Sequence, residues 1–276
     1  MGSRLNYAKG LDFEGSIAAN GNPKLWIEGG VTIDELSLVT NLAADEFSLL
    51  IEVNGERRVE ISGQEMLDRE EYDGRAAAAG EYVLAMSDAL ARTLQGEQMS
   101  GLCTKPSDRV LISLEIGATV DAASPTALLY LETSAFRPEL FRLYILPELV
   151  PVTKIGENPF SGMRKGMRPG ANWIRRVFGY GAVTHLEVEQ DRRSVFGKRG
   201  LPKAVNDARL KRNGKTVPSA CFVFDPIVKG SVITDMFDTY SVEWLRFNFT
   251  TSDSNDIRAL TEYVADLRTL QQQQAA

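Results

Sequence analysis

Apolar and polar residues alternate in short runs along most of the chain, and the runs end at glycine, proline, asparagine or another polar turn residue. Glu46 to Gly55 and Arg109 to Ile116 are two such runs, with aliphatic side chains at many alternate positions. This two-residue period predicts half-buried strands joined by turns. Ser62 and Glu65 have the spacing of a capping box, which predicts a short helix that continues to Tyr72.

The same order of elements occurs twice, at a separation of roughly 130 to 140 residues. Each copy has a strand with a Leu/Ile-Glu-Val centre, then a brief helix, then further strands in the same sequence. Short strands resemble one another, so no single match is informative, but six matches in one order indicate an internal repeat. The pairs are 33–39 with 173–178, 46–55 with 182–191, the two helices that follow, 80–88 with 218–226, 109–116 with 244–249, and 126–133 with 257–264.

Many short strands with brief helices in the connections are typical of antiparallel sandwiches, and long helices at the spacing of a parallel α/β fold are missing. Seven or eight strands in about 120 residues favour a jelly roll in each repeat. The predicted fold is therefore all-β, with two tandem jelly-roll β-sandwiches. One segment conflicts with this: Ile257, Leu260, Val264 and Leu267 have helical spacing, whereas the repeat predicts a strand up to about Val264.

A chain of 276 residues is long enough for two domains with substantial cores. The predicted bounds are an N-terminal arm at 1–24, a first jelly roll at 25–135, a linker with the first strand of the second repeat at 136–170, and a second jelly roll at 171–276. No run of about 18 apolar residues is present, and the first residues lack the apolar core of a secretory signal. We therefore expect synthesis in a cytoplasm.

Residue types that support catalysis or metal binding are scarce. His185 is the single histidine, which disfavours the metal-binding cupins and Ser-His-Asp hydrolases, and no nucleotide-binding glycine motif occurs. Cys103 and Cys221 are isolated and are expected to be small buried side chains. We predict no enzyme and no cofactor. A weak calcium candidate is the oxygen-rich loop that contains Asp253, Asn255 and Asp256, although a solvated turn explains it as well.

Charge is divided unevenly between the two halves. Residues 1–150 contain 12 lysines and arginines against 24 aspartates and glutamates, whereas residues 151–276 contain 19 against 13. The helix-bearing connections follow this division, and opposite charges at equivalent positions suggest head-to-tail contacts between copies. A solvated polar face is the alternative for each. The interface candidates are Glu65, Asp68, Glu70 and Glu71 in the first repeat, and Arg209, Lys211 and Arg212 in the second.

A second basic region, from Lys154 to Arg176, joins the repeats and contains several glycines and a proline. It is predicted to be a flexible linker. Arg164, Lys165 and Arg168 are candidates for contact with anionic lipid headgroups or packaged DNA, and an ordinary interdomain connection is the alternative.

This arrangement resembles a known family, the double jelly-roll major capsid proteins of corticovirus- and tectivirus-type phages. The likeness is one of pattern and covers most of the chain, from about Leu25 to Val264. It lies in Leu49 to Gly55, Asp88 to Ile116, Val183 to Val188, and Asp225 to Phe237 continuing into Trp244 to Phe249.

The resemblance implies a homotrimer of pseudo-hexagonal outline, in which six jelly rolls stand upright on the shell. Such trimers would tile an icosahedral virion over an internal lipid membrane, with separate proteins at the vertices and no sequence-specific nucleic acid. Some members of the family bind calcium, and the arm up to about Pro23 would become ordered on assembly.

Two other readings stay open from the residues alone. A double-sandwich hydrolase resembling the peptide-N-glycosidase family would use paired carboxylates, but it should carry a signal peptide and often disulfides. A glycan-binding virion spike should show aromatic residues clustered in a loop, whereas Trp26, Trp173 and Trp244 lie in predicted strands.

Overall fold

Strands form most of the regular structure. A computed structural model describes residues 6–7, 10–75, 78–87, 101–165, 173–230, 235–239 and 242–267. The chain divides into two compact units, Met1–Ile145 and Leu146–Ala276. The division falls within the predicted connection at 136–170. The sequence-based bounds of 25–135 and 171–276 for the two jelly rolls remain a prediction.

The first unit is built on strands with one helix among its described residues. In chain order the elements are β1 (Asn6–Tyr7), β2 (Leu11–Asp12), β3 (Lys24–Glu28), β4 (Val31–Thr40), β5 (Phe47–Val53), β6 (Glu56–Ser62), α1 (Gly63–Tyr72), β7 (Glu81–Ala85), β8 (Leu102–Cys103), β9 (Arg109–Ile116), β10 (Ala127–Ala135) and β11 (Phe141–Val150), which contains the division between the units.

Two sheets enclose the core of the first unit. One has the order β10-β4-β7, with β1 and β2 on β10 and with β8 on β4, and the other has the order β3-β9-β5-β6. Buried aliphatic residues alternate along the strands of both sheets, as in Leu36 and Leu38 of β4 and Leu49 and Ile51 of β5. These side chains form the interior because alternate residues of a strand point to the same side.

The second unit repeats this design. Its elements are β12 (Gly156–Phe160), β13 (Trp173–Tyr180), β14 (Val183–Gln190), β15 (Arg193–Pro202), α2 (Lys203–Arg212), β16 (Cys221–Phe224), β17 (Phe237–Asp238), β18 (Leu245–Thr251) and β19 (Ile257–Asp266).

Eight strands of the second unit repeat the sheet topology of eight strands of the first. The order β19-β13-β16, with β17 on β13, corresponds to β10-β4-β7 with β8 on β4. The order β12-β18-β14-β15 corresponds to β3-β9-β5-β6. The repeat and the double jelly-roll fold predicted from the sequence are thus confirmed.

The segment with conflicting periodicity is a strand. Residues Ile257–Asp266 form β19, which pairs antiparallel with β13 over seven residue pairs and is buried at nearly every position. Burial on both faces puts apolar residues at odd and even positions alike, so their spacing does not distinguish a strand from a helix. The prediction from the repeat is confirmed.

The basic segment from Lys154 to Arg176 contains strand residues toward both ends, and these parts are not a flexible linker. Its first part forms β12, which pairs with β18 through five residues. Its last part begins β13, where Arg175 and Arg176 are buried and their Nε atoms lie 3.6 Å and 3.5 Å from carboxylate oxygens of Glu262 and Asp225. Both arginines therefore neutralise buried carboxylates within the second unit.

Candidate assembly surfaces

Pro202 is the N-cap of helix α2, and its fixed φ of −61° suits the position before the first turn. Only Asn206 and Leu210 are buried in it, and its last turn carries three cations and no acid. Cations at this end interact favourably with the helix dipole. The helix is therefore a surface element with a positively charged end.

Arg209 and the two cations after it have different environments. The Arg209 guanidinium donates to the Asn206 side chain at 3.4 Å and to the Asp225 carbonyl at 3.1 Å, and it lies 5.9 Å from the centre of the Phe196 ring. Lys211 and Arg212 are exposed. Arg209 thus holds α2 beside β15, while the other two predicted interface cations are available to a partner.

Strand β15 continues the positive charge at the edge of its sheet. Gly197, Arg199 and Gly200 have positive φ, and the pairing with β14 is interrupted twice, so the strand is irregular. It pairs only with β14 among the described strands. We call the exposed cations of this hairpin and of α2 the basic surface: Arg192, Arg193, Lys198, Arg199, Lys211 and Arg212.

No member of the basic surface has an ion-pair partner within the part of the chain that the structure describes. Val195 on β15 and Val205 on α2 are 49% and 53% exposed beside these cations. The surface therefore combines unneutralised positive charge with exposed apolar side chains.

The acidic residues predicted to meet these cations lie mostly inside the first unit. Glu65 completes the capping box, with its carboxylate accepting from the Ser62 N–H at 2.8 Å. Asp68 accepts from the Gln64 side chain at 2.9 Å, and Glu70 forms an ion pair with Arg75 at 2.9 Å. Helix α1 packs against the sheets here, so these carboxylates are part of the fold.

Burial therefore leaves one predicted acidic contact on the surface. Glu65, Asp68 and Glu70 are each less than 5% exposed, whereas Glu71 is exposed. Only Glu71 of the four is available to another copy.

Other acidic residues lie on the outward side of the sheet β10-β4-β7. The register places Leu128, Val39 and Glu81 in one row, Tyr130, Ser37 and Val83 in the next, and Glu132 and Glu35 in a third. All eight are exposed or half-buried, while residues between them point into the core. We call these eight residues the open sheet face.

Glu35 lies opposite Glu132 in this register. Burial raises the pKa of the Glu35 carboxyl, and the neighbouring carboxylates of Glu132 and Glu81 raise it further, against the opposing effect of Arg75. The negative charge of the face is thus incompletely neutralised within the unit.

The sequence analysis missed the open sheet face, although its pattern was present in the chain. Leu128, Tyr130 and Glu132 alternate with buried leucines in a segment already identified as a strand. Which strand lies beside β10, and in which register, is not readable from one segment.

The predicted lipid- or DNA-facing residues have three different outcomes. Arg164 is exposed, and its backbone N–H donates to the Tyr263 hydroxyl at 3.1 Å. The Lys165 amine donates to the carbonyl of Glu243 at 2.9 Å. Arg168 lies outside the described residues. Hydrogen bonds therefore hold the chain at Arg164 and Lys165 against other parts of the second unit.

Tyr263 also binds the carboxylate of Glu148, which accepts from Thr261 as well. Burial raises the pKa of Glu148, although these hydrogen bonds and Arg164 act in the opposite direction.

The calcium candidate forms a turn held by its own side chains. The Asp253 carboxylate accepts from the backbone and side-chain nitrogens of Asn255, and Asp256 accepts from the Val152 N–H at 2.9 Å. Within the described residues, no group of three histidine, cysteine, aspartate or glutamate side chains is placed to hold a metal ion. Calcium binding stays a prediction.

The remaining candidates have structural environments. His185 contacts the Thr184 hydroxyl at 3.0 Å on β14, and Cys103 and Cys221 are buried without forming a disulfide, as predicted for these thiols. Neither described helix is long and apolar enough to cross a membrane.

Two jelly rolls of one topology in a single chain define the class of double jelly-roll capsid proteins. The family models for the viral coat protein P2 N-terminal and C-terminal domains match residues 7–136 and 143–267, in that order. The chain belongs to this viral coat protein P2 family and is a major capsid protein.

Solved structures agree with this fold. The major capsid protein P2 from bacteriophage PM2 has a TM-score of 0.79 and 17% identity, over 96% of this chain and 98% of that one. The major capsid protein of Sulfolobus turreted icosahedral virus has a TM-score of 0.64 and 11% identity, over 97% and 99%. The PBCV-1 virus capsid protein has a TM-score of 0.57 and 8% identity, over 94% of both chains. A comparison with curated protein sequences gave no match.

Proposed function

We propose that this capsid protein assembles as a homotrimer of pseudo-hexagonal outline, and that these trimers tile an icosahedral shell. The matching topology of the two units supports this most strongly, because three chains with two equivalent jelly rolls each supply six similar walls. Separate proteins would occupy the vertices, where the symmetry differs.

We further propose that the subunits meet head to tail. Contacts between two different surfaces of one chain can close into a ring, whereas a contact of one surface with itself gives a dimer. The opposite charge of the two halves favours contact of the first unit of one copy with the second unit of the next.

The native mass of the purified chain tests this proposal. Multi-angle light scattering at low salt is expected to give a particle of three times 30.5 kDa, or larger shells. Moderate salt should weaken the complex because it screens the exposed charges. A monomer at every concentration and at both salt levels would overturn the proposal.

The role in the virion is proposed to be structural, without turnover, after synthesis in the host cytoplasm. Membership in a coat protein family supports this role, and so does the environment of His185, which contacts a neighbouring threonine hydroxyl. Calcium is not needed for the proposed contacts.

We also propose that the exposed Arg164 lies toward an internal membrane with anionic headgroups. Co-flotation with vesicles containing a quarter anionic lipid tests this, with neutral vesicles for comparison. Arg164→Glu should reduce flotation with anionic vesicles, and Lys105→Glu, which reverses an exposed cation of the first unit, should not. Equal flotation of both variants and the wild type would contradict the proposal.

A further inference from the structure

Equivalent sheets in the two units differ in how much of them is covered. In the second unit, β13 and β19 are buried at nearly every position. In the first unit, the corresponding β4 and β10 bury only the side that faces the core, and Val39 and Tyr130 are 41% and 37% exposed on the other side. The first unit therefore exposes this sheet face, whereas the corresponding strands of the second unit are buried on both faces.

The charges of this face are unfavourable in an isolated subunit. Like charges directly opposite each other on neighbouring strands destabilise a sheet, and Glu35 lies opposite Glu132. A partner that brings cations to this position would relieve the repulsion. Exposed apolar residues beside the carboxylates would then be buried at the centre of the contact, as in other interfaces.

The basic surface of the second unit has the complementary composition. It carries exposed Val195 and Val205 beside cations that include Lys211 and Arg212, which have no acidic partner among the described residues. Each chain therefore carries one surface of each sign, both with an apolar component.

We propose that the open sheet face of one copy docks onto the basic surface of the next copy. This inference rests on the proposed head-to-tail assembly and identifies the two surfaces that form its contact. It also replaces the buried carboxylates of α1 as the acidic partner. A second copy of the chain is the partner, because its basic surface carries the opposite charge. The same contact then repeats around a ring.

Charge reversal on each side tests the contact. Glu35→Lys with Glu132→Lys, and separately Lys211→Glu with Arg212→Glu, place like charges together at every interface of the ring. Light scattering and sedimentation should show at least about a 100-fold loss of association for each double variant. The variant with all four changes should recover the trimer, because its interfaces are again complementary.

An equimolar mixture of the two double variants gives a sharper test. Each contact between unlike variants is complementary, but a ring that alternates them needs an even number of subunits. A trimer always retains one mismatched contact, so the mixture should form mainly pairs, while the quadruple variant forms closed trimers. Complete recovery of trimers in the mixture would overturn the assignment of the surfaces.

Matched controls carry the same charge changes on exposed residues elsewhere in the first unit. Lys105→Glu with Arg109→Glu, and Glu28→Lys with Glu115→Lys, should remain trimeric. Loss of the trimer in the controls to the same extent would overturn the inference, because net charge alone would then explain the effect.

The outcomes separate the two proposals. A monomeric wild type would overturn the proposed function, whereas a trimeric wild type with trimeric double variants would overturn only this inference. Circular dichroism and thermal unfolding establish that each variant is folded. If the lysine variant melts early, Glu35→Gln with Glu132→Gln replaces it, with about a tenfold expected loss of association. An unchanged association constant in that variant would also overturn the inference.

Discussion

Helices α1 and α2 occupy the same place in the two jelly rolls but relate differently to their surroundings. Helix α1 has a capping box and buries Met66 and Tyr72 together with three carboxylates. Helix α2 has no side-chain cap and buries only Asn206 and Leu210. One topology therefore supports an embedded helix in the first unit and a surface helix in the second.

The difference teaches that charge composition and exposure are separate properties. Both helices contain many ionised residues. Those of α1 mostly form hydrogen bonds or ion pairs within the unit, whereas Lys211 and Arg212 of α2 have no such partner among the described residues. Equivalent positions in a repeat can thus serve folding in one copy and assembly in the other. Substitutions in the two helices should then affect different measurements.

The largest difference is expected from truncation of buried side chains. Met66→Ala in α1 removes a fully buried side chain and should lower the free energy of unfolding by about 2–5 kcal/mol. Val205→Ala in α2 removes an exposed one and should change it by less than about 0.5 kcal/mol. Urea unfolding followed by circular dichroism gives both values. Equal losses would show that α2 is as embedded as α1.

Within α2, Arg209 and Lys211 should separate stability from assembly. Arg209→Ala removes hydrogen bonds and the contact with Phe196, and should cost about 1.5–3 kcal/mol. Lys211→Ala should leave the free energy of unfolding unchanged within about 0.5 kcal/mol and weaken association. Thermal unfolding and light scattering on the same samples distinguish them. A stable Arg209→Ala subunit with lost association would contradict this division.

A smaller effect is expected at the start of α1. Ser62→Ala removes the side-chain oxygen that accepts from the Glu65 N–H, and should cost about 1 kcal/mol. Ser107→Ala, at an exposed turn, serves as the control and should be neutral. Urea unfolding midpoints measure the difference. Equal midpoints for the two variants would show that the capping box contributes nothing to α1.

The sequence allowed prediction of the features that depend on local pattern. The capping box at Ser62 and Glu65 forms as predicted. The five matched strand pairs take equivalent places in the sheets of the two units, and the matched helices α1 and α2 follow β6 and β15, because alternation and turn residues act within each strand and its connections. Even Ile257–Asp266, whose spacing was helical, followed from comparison with the first repeat.

The environment of individual charges could not be predicted in the same way. Glu70 and Arg176 read as surface residues by type, but packing between elements buries both. Arg75, the partner of Glu70, is only five residues away, whereas Asp225, the partner of Arg176, is distant in the sequence. The open sheet face depends on the register of β4 against β10 and β7, which is also a tertiary property. Charge along the chain shows two halves of opposite sign, but it does not show that Glu65, Asp68 and Glu70 are buried.

The smallest expected effect concerns the pH dependence of the open sheet face. The pKa of Glu35 is raised above its usual value, so its ionisation opposes folding of the free subunit at neutral pH. That cost disappears as pH falls through the raised pKa to the ordinary carboxyl range. Glu35→Gln should therefore stabilise an unassembled subunit at pH 7 by at most about 0.5 kcal/mol after screening, and the gain should vanish near the ordinary carboxyl pKa.

The same titration has the opposite effect on association. The proposed docking places cations of the next copy near Glu35, Glu132 and Glu81, with Arg75 already beside them, and so favours the ionised carboxylates. Association should weaken as pH falls through the raised pKa, and less so for Glu35→Gln. Thermal unfolding in the Lys211→Glu with Arg212→Glu background measures the first effect, and light scattering of the otherwise wild-type chain measures the second. Glu115→Gln, at an exposed position of the opposite sheet, is the control, and a pH dependence of association equal in both Gln variants would exclude Glu35 from the contact.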